Sequence, residues 1–430
     1  MSEDTIYAPS TPHGRGGIAV VRISGPSAHD VLRQLAGRLP PPRHAALRRL
    51  RDARGEVLDD ALVLRFEAGA SFTGEAMVEL HLHGGVAVVG AVLGTLSAHP
   101  GLRLAEPGEF TFRAFRSGRF DLTEVEALGD LLAAETEAQR RQAVRVMAGD
   151  LANKIADWRT ALLRAIAMTE VTLDWADEEV PEDVGPEVAG LLGQVEREIR
   201  QELVRSDGAV RLRTGFEVAL VGAPNAGKST LMNRLAGREA AIVSSVPGTT
   251  RDVLEIPYDL EGLPVRFLDM AGIRDTEDQI ETEGVRRARL RAEAADLRIL
   301  VDAPDARLGS LSALGQDGDV RIWAKADLAD GLGLQLSAMT GMGVDELLRE
   351  VANQLGQRSS GGLVAHQRQV EALERVASSA RQACDGLGTR GAEVVSEDIR
   401  RALSALSRLT GAVGTEEILG EIFGRFCLGK

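Results

Sequence analysis

Nowhere in the 430-residue chain does an apolar run approach the ~18 residues that a membrane-spanning helix needs, so no helical membrane segment is expected. Cysteine is scarce as well. Cys384 and Cys427 alone cannot make a disulfide framework, and this points to a reducing, cytoplasmic setting. The opening residues, MSEDTIYAPS, hold no basic stretch followed by an apolar one, so no secretory leader is expected. Positive charge is also missing in bulk. A formal net charge of −14 argues against a protein that grips nucleic acid through one broad basic face, because such binders gain affinity by neutralising phosphates. The arginines gathered at 43–54 and 286–298 read as solvated faces of mixed charge.

What is present suffices for two or three domains, at ~150 residues each. Residues 1–118 alternate β-rich runs (18–23, 61–66, 77–82) with a helical run at 87–96 introduced by Gly84 and Gly85, as in a small α/β domain. At Leu122 the texture changes. Thr123 and Glu126 have the spacing of a capping box, and Val125, Leu128, Leu131 and Leu132 follow at helical intervals. A second stripe, Leu151, Ile155, Trp158, Leu162, Ile166 and Leu173, predicts another long helix packed on the first. The acidic stretch 174–187, with Pro181 and Pro186, reads as a loop of solvated carboxylates rather than a metal site. Residues 195–210 are helical again.

From residue 217 to about 356 strands alternate with helices, the pattern of a parallel sheet, with strands expected at 218–221, 253–258, 265–268, 297–301 and 320–323. The linker SSGG at 359–362 then returns the chain to helices, marked by Val370, Leu373 and Val376 and by Ile399, Leu403 and Leu406. The expected fold is therefore α/β and multidomain. An N-terminal α/β domain (1–118) is followed by a helical domain in two parts (119–212 and 358–430), into which a Ras-like P-loop domain with a mostly parallel sheet (213–357) is inserted.

Chemistry concentrates in the insert. The run GAPNAGKST at 222–230 fits G-x-x-x-x-G-K-[ST] and lies between a strand ending at Val221 and a helix starting near Lys228, the context this motif requires. Backbone N–H groups of Asn225, Ala226 and Gly227 can curl around a phosphate, with the helix N-terminus adding positive potential. Lys228 reaches the β- and γ-phosphates, Ser229 can ligate Mg²⁺, and Thr230 follows in the same turn. Asp269, Met270, Ala271 and Gly272 end a strand, placing a carboxylate at the magnesium shell and the Gly272 N–H near the γ-phosphate. Thr249 and Thr250 lie where a hydroxyl can complete the Mg²⁺ octahedron, the ligand set being Ser229 and Thr250. In the run Ala324, Lys325, Ala326, Asp327 the aspartate can accept paired N–H bonds from guanine, which adenine lacks, and Ser337, Ala338 and Met339 can add a backbone donor toward the base carbonyl. GTP is the expected substrate.

Three further stretches carry a resemblance: FCLGK at 426–430, GREAAIV at 237–243 leading into GTTRD at 248–252, and GRGG at 14–17 with RISG at 22–25. With the P-loop motifs they make the chain similar, over essentially its whole length, to the MnmE (TrmE) family of tRNA-modification GTPases, relatives of the Era-like GTPases. The resemblance implies a homodimer that works with the FAD-containing protein MnmG, in a heterotetramer or larger complex, on tRNA and without a membrane. The group installed would be an aminomethyl or carboxymethylaminomethyl group at carbon 5 of the wobble uridine. Its one-carbon unit would come from 5-formyl- or 5,10-methylene-tetrahydrofolate, bound by the N-terminal domain, which would also dimerise. Arg22, Glu79, Arg119 and Lys430 match the family's folate residues, Arg119 standing where lysine is frequent.

The resemblance also places Ser244, Ser245, Val246, Pro247 and Gly248 in the nucleotide site. It implies K⁺ in place of an arginine finger, held by Asn225, Ser244, Val246 and Thr249 where two nucleotide domains meet. Ile273 follows Gly272, so the water-orienting glutamine of Ras-like enzymes is missing. The family's glutamate aligns with Glu281, leaving Glu283 as a solvated loop residue.

This chain departs from the family pattern in places. Ala324 replaces an asparagine that braces base and phosphate loop, Met270 replaces threonine, and 304–318 is short, which predicts a reduced peripheral helix. Cys427 is either a catalytic thiol or a buried structural one. His81 and His83 alternate on a strand without partners at metal spacing, which favours strand packing over zinc. Two other readings stay open at this point. A ribosome-assembly GTPase would call for a basic RNA-binding domain; a folate-binding scaffold would have lost turnover through Ala324.

Overall fold

The computed structural model describes residues 4–174, 184–238, 240–242, 255–270, 289–359, 361–411, 420, 422–424, 426 and 429. Two compact units emerge: residues 1–129 with 407–430, and residues 130–406. Among the described residues no helix is long and apolar enough to cross a membrane.

The first unit is built on a six-stranded sheet ordered β3-β4-β5-β2-β1-β6, from β1 (Thr5–Pro9), β2 (Ile18–Ser24), β3 (Ala46–Arg51), β4 (Val57–Phe66), β5 (Met77–His83) and β6 (Leu102–Leu104). Only β1 and β6 pair in parallel. Alternation decides the faces. Val21, Ile23, Val63, Val78, Leu80 and Leu82 point to a core shared with α1 (Ala28–Ala36) and α2 (Val86–Ser97), while Arg22, Glu79 and His81 take the opposite face. Further along come α3 (Glu109–Arg116) and α4 (Leu122–Ala133). The cap that opens α4 is Asp121 rather than Thr123. The Asp121 carboxylate accepts from the Glu124 N–H at 2.9 Å and the Glu124 carboxylate from the Asp121 N–H at 2.7 Å, with Thr123 Oγ1 donating to Asp121. Phe423 and Phe426 from the end of the chain pack beside Val125 and Phe115.

In the second unit, α5 (Glu137–Met147) opens on a true capping box between Thr136 and Gln139, and α6 (Asp150–Asp174) runs along α7 (Gly185–Thr214). The α6 stripe buries Leu151, Ile155, Trp158 and Leu162 as expected, then passes to Ala165 and Thr169 rather than Ile166. Pro186 does not interrupt the chain here: it occupies the first turn of α7, where its missing N–H leaves no bond unmade.

The nucleotide-type sheet follows, ordered β12-β11-β10-β7-β9-β8. Its strands are β7 (Phe216–Gly222), β8 (Glu255–Leu260), β9 (Leu263–Asp269), β10 (Leu297–Asp302), β11 (Val320–Trp323) and β12 (Leu334–Gln335). All neighbours are parallel except β8 and β9, so the mostly parallel sheet is borne out. The central strands FEVALVG and LRILVD are almost continuously buried, as strands covered on both faces must be. Helices α8 (Lys228–Ala236) and α9 (Val344–Arg358) contribute to the core, and a short 3₁₀ helix, Gly309–Leu314, lies within residues 304–318. Helices α10 (Gln367–Gly386) and α11 (Ala392–Thr410) follow, α10 packing along α7.

Candidate nucleotide-binding site

The site forms where β7 ends. Gly222 closes the strand, the loop 223–227 turns back, and Lys228 opens α8. Two loop residues lie in the left-handed region, Asn225 at φ 64° and Gly227 at φ 98°, a sequence of turns that directs successive N–H groups into one concavity. A Cβ built at Gly227 would stand 3.8 Å from that of Ala324, an ordinary contact distance, so the residue after β11 lies close to the phosphate loop.

Lys228 is 7% exposed and donates from Nζ to the carbonyls of Gly222 at 2.8 Å and Ala223 at 3.0 Å. Burial pushes its ammonium below the ordinary lysine value, and the Asp269 carboxylate opposes that shift. Ser229 Oγ donates to Asp269 Oδ2 at 3.0 Å, while Asp269 Oδ1 is buried without a hydrogen-bond partner among the described residues. An orphaned buried carboxylate oxygen is costly unless something meets it. Beside a serine hydroxyl at a helix N-terminus, the donor set of hard oxygens fits a magnesium ion carrying waters and phosphate oxygens.

After β11, Ala324 is buried and Lys325 follows with φ 58°. Its Nζ reaches both oxygens of Asp305, at 2.7 and 2.8 Å. The Ala326 N–H donates to the Leu336 carbonyl, drawing this loop to the one that begins at Ser337, and Asp327 faces solvent. Ser337 is buried, with its N–H on the Met342 carbonyl, whereas Met339 is 76% exposed. Arg234 of α8 donates to the carbonyls of Ala338 and Met339, both at 3.2 Å, and so ties the phosphate helix to the base-side loop. Neither Arg234 nor Asp305 was singled out from sequence. Both act across 20 or more residues of chain, where no local spacing marks a partner.

Met270, buried at 2%, packs in a core cluster with Val221 and Leu268. Ser244, Ser245, Val246, Pro247, Gly248, Thr249, Thr250, Ala271, Gly272 and Glu281 lie outside the described residues, as do Cys427 and Lys430. Among the described residues no group of three or more His, Cys, Asp or Glu is placed to hold a metal. His83 instead pairs with Asp59 at 2.7 Å.

A second polar cluster lies on the face of the first unit's sheet opposite α1 and α2. Arg22 and Glu79 are register partners, and Arg22 donates from Nε at 3.1 Å and Nη2 at 2.9 Å to the same oxygen, Glu79 Oε1. Oε2 takes no bond from Arg22 and lies 3.6 Å from His81 Nε2, which has no hydrogen-bond partner among the described residues. The guanidinium of Arg22 sits 5.0 Å over the Phe72 ring, and Arg119 donates to the Gly69 carbonyl at 3.4 Å. One loop, between β4 and β5, thus touches both arginines. From the chain's end, Gly429 accepts a bond from Ser10 Oγ at 3.0 Å, next to the β1 residues paired with Val21 and Arg22.

A strand, a phosphate-cradling loop with its lysine, and a serine paired with the aspartate of the neighbouring strand define a P-loop GTPase. Residues 5–119 match the family described as GTP-binding protein TrmE N-terminus, and residues 122–427 match the MnmE helical domain. The tRNA modification GTPase MnmE of Roseobacter denitrificans is 49% identical, covering 99% of this chain and 100% of the relative. That of Cereibacter sphaeroides is 51% identical with the same coverage. The chain belongs to the MnmE family of tRNA modification GTPases. Among solved structures, the G domain of the T. maritima FeoB iron transporter is 25% identical, covering 32% of this chain and 98% of that one at a TM-score of 0.27. An Aquifex aeolicus Era variant bound to GDP.AlF4- is 24% identical, covering 32% and 56% at a TM-score of 0.26.

Proposed function

We propose that this GTPase acts in the cytoplasm on tRNA. As a homodimer with the FAD-containing MnmG, it installs an aminomethyl-type group at carbon 5 of the wobble uridine with a one-carbon unit from a tetrahydrofolate. Full-length identity to MnmE proteins supports the tRNA assignment, and the observation that carries the GTPase chemistry is the Ser229–Asp269 pair with its orphaned oxygen behind Lys228. In this reading Ser229 and Thr250 hold magnesium, and Lys228 neutralises charge on the β- and γ-phosphates. Lys325 lies along the guanine, Asp327 accepts its N–H groups, and the loop at Ser337–Met339 meets its carbonyl. Asn225, Ser244, Val246 and Thr249 hold potassium, and Glu281 orients the attacking water. The nucleotide domain would span 213–357 between the two helical parts. On the N-terminal domain, Glu79 and Arg22 with Arg119 and Lys430 take the folate, and Glu79 Oε2, to which Arg22 does not bond, supports this, since it can accept from a pterin's amino edge.

GTP hydrolysis in KCl and in NaCl at matched ionic strength tests the ion-dependent mechanism. A cation beside the transferring phosphoryl group stabilises developing charge, so the rate in potassium is expected to exceed that in sodium by ~10-fold or more. Equal slow rates in both salts would remove potassium from the mechanism and favour the scaffold reading.

Ala324 defines a further expectation. Its Cβ already faces the phosphate loop, so Ala324→Asn restores a side-chain brace between the two loops. One recovered hydrogen bond, worth ~0.5–1.5 kcal/mol, should tighten GDP by about 2–12-fold in calorimetric titration with GTP still preferred over ATP. Unchanged affinity would show that the brace is not what asparagine supplies.

A further inference from the structure

The site reading assigns Lys325 to the nucleotide base, and this inference rests on it. Ala324 cannot hold the loop that carries Lys325 through a side chain, yet the lysine is fixed. Its ammonium meets both oxygens of Asp305, at 2.7 and 2.8 Å, across the seam between the loops that follow β10 and β11. Asp305 stands in a tight turn closed by paired bonds between Ala303 and Ala306, at 3.0 and 3.2 Å, so the carboxylate is presented from a constrained backbone. The hydrogen bond from Lys325 holds that carboxylate below its usual range. A second cation crosses the seam the other way, the Arg307 guanidinium lying 4.4 Å over the Trp323 ring. Trp323 Nε1 in turn donates to the Ala329 carbonyl at 2.6 Å, beyond the guanine motif. The loop is clamped on both sides of Lys325.

We infer that Asp305 is the positioning residue of the base pocket in this chain. By fixing the Lys325 ammonium it aligns the aliphatic stem of the lysine for the guanine face, a role that falls to it because residue 324 is alanine. A free lysine must surrender rotamer freedom when a base arrives, whereas one already held does not.

GDP and GTP affinities of Asp305→Ala and Asp305→Asn test this. Both variants are expected to weaken GDP and GTP by one common factor, roughly three- to tenfold, because the lesion lies at the base and not at the phosphates. Asp305→Glu should recover most of the loss. In ~0.5 M salt the gap to the parent protein should narrow, since a half-exposed pair is screened there. In a Lys325→Ala background, Asp305→Ala should have no further effect, a coupling that a merely structural role for the turn would not give. Unchanged or tighter GDP binding in Asp305→Ala would overturn the inference, the latter by making the pair a latch that nucleotide must break. If Lys325→Ala itself leaves GDP affinity intact, the assignment of Lys325 to the base fails and the inference falls with it. Loss in Lys325→Ala without loss in the Asp305 variants refutes the inference alone.

Discussion

Lys228→Ala is expected to lower GTP turnover by ~10²–10³-fold or more, the scale on which a single preorganised group that meets transition-state charge contributes. GDP and GTP should also bind weakly. The ammonium donates to the Gly222 and Ala223 carbonyls at 2.8 and 3.0 Å, and these bonds hold it within the loop. The fold should survive the change. Burial costs the charged amine part of what those two bonds return, so its removal should move the unfolding temperature by a few degrees at most. The pH dependence has a definite sign. The folded-state value lies below the ordinary 10.5, so in the window between them the unfolded chain binds more protons, and stability of the parent rises with pH there. The alanine variant should lack that slope. Thermal unfolding from pH 7 to 10, beside a turnover assay, checks both halves; full turnover by the variant would refute the phosphate role.

What could be read beforehand divides along physical lines. The P-loop was legible because phosphate chemistry fixes both residue type and spacing within nine consecutive positions, and the strand before it is a buried apolar run. Strands at 18–23, 61–66, 77–82, 265–268, 297–301 and 320–323 were found within a few residues because alternation or continuous burial marked them. β1 escaped: five residues, all buried and ending in proline, show no period. β3 was hidden inside an arginine cluster because an edge strand with one wet face needs few apolar residues, and its Arg49 pairs with Asp60 across the hairpin. β12 has two residues, too few for any pattern.

The site divides the same way. Lys228, Ser229 and Asp269 come together as their motifs require, and Arg22 meets Glu79 in register. Arg234, Asp305 and His81 gain meaning only through space. An arginine on a helix, an aspartate in a turn and a histidine on a strand are common, and only the fold sets Arg234 against carbonyls 104 and 105 residues away or His81 beside a half-used carboxylate. The misplaced cap shows the same limit at short range. Asp121 and Thr123 both precede an acidic residue by three, and the choice falls to Asp121 because its carboxylate takes the N–H at Glu124 while also accepting from Thr123.

Gly429→Val should separate GTP hydrolysis from the folate binding proposed for the N-terminal domain. Gly429 adopts φ 92°, a conformation costly to a β-branched residue, and a Cβ there would run into the Pro9 carbonyl. Its own carbonyl accepts from Ser10, at the end of the strand whose register partner is Arg22. A valine cannot keep that docking. Cys427 and Lys430, two positions before and one after in sequence, depend on the same anchor if they serve the folate site. Tetrahydrofolate binding, followed by fluorescence titration, is therefore expected to weaken ~10-fold or more, the worth of one lost charge-assisted contact with its positioning. Wobble-uridine modification with the partner protein should fall in step. GTP hydrolysis should not change, since Lys228, Ser229 and Asp269 are carried by the other compact unit. Intact folate binding in a folded Gly429→Val protein would detach the C-terminal motif from the folate site. Loss of GTP hydrolysis along with folate binding would instead show that the end of the chain governs both reactions.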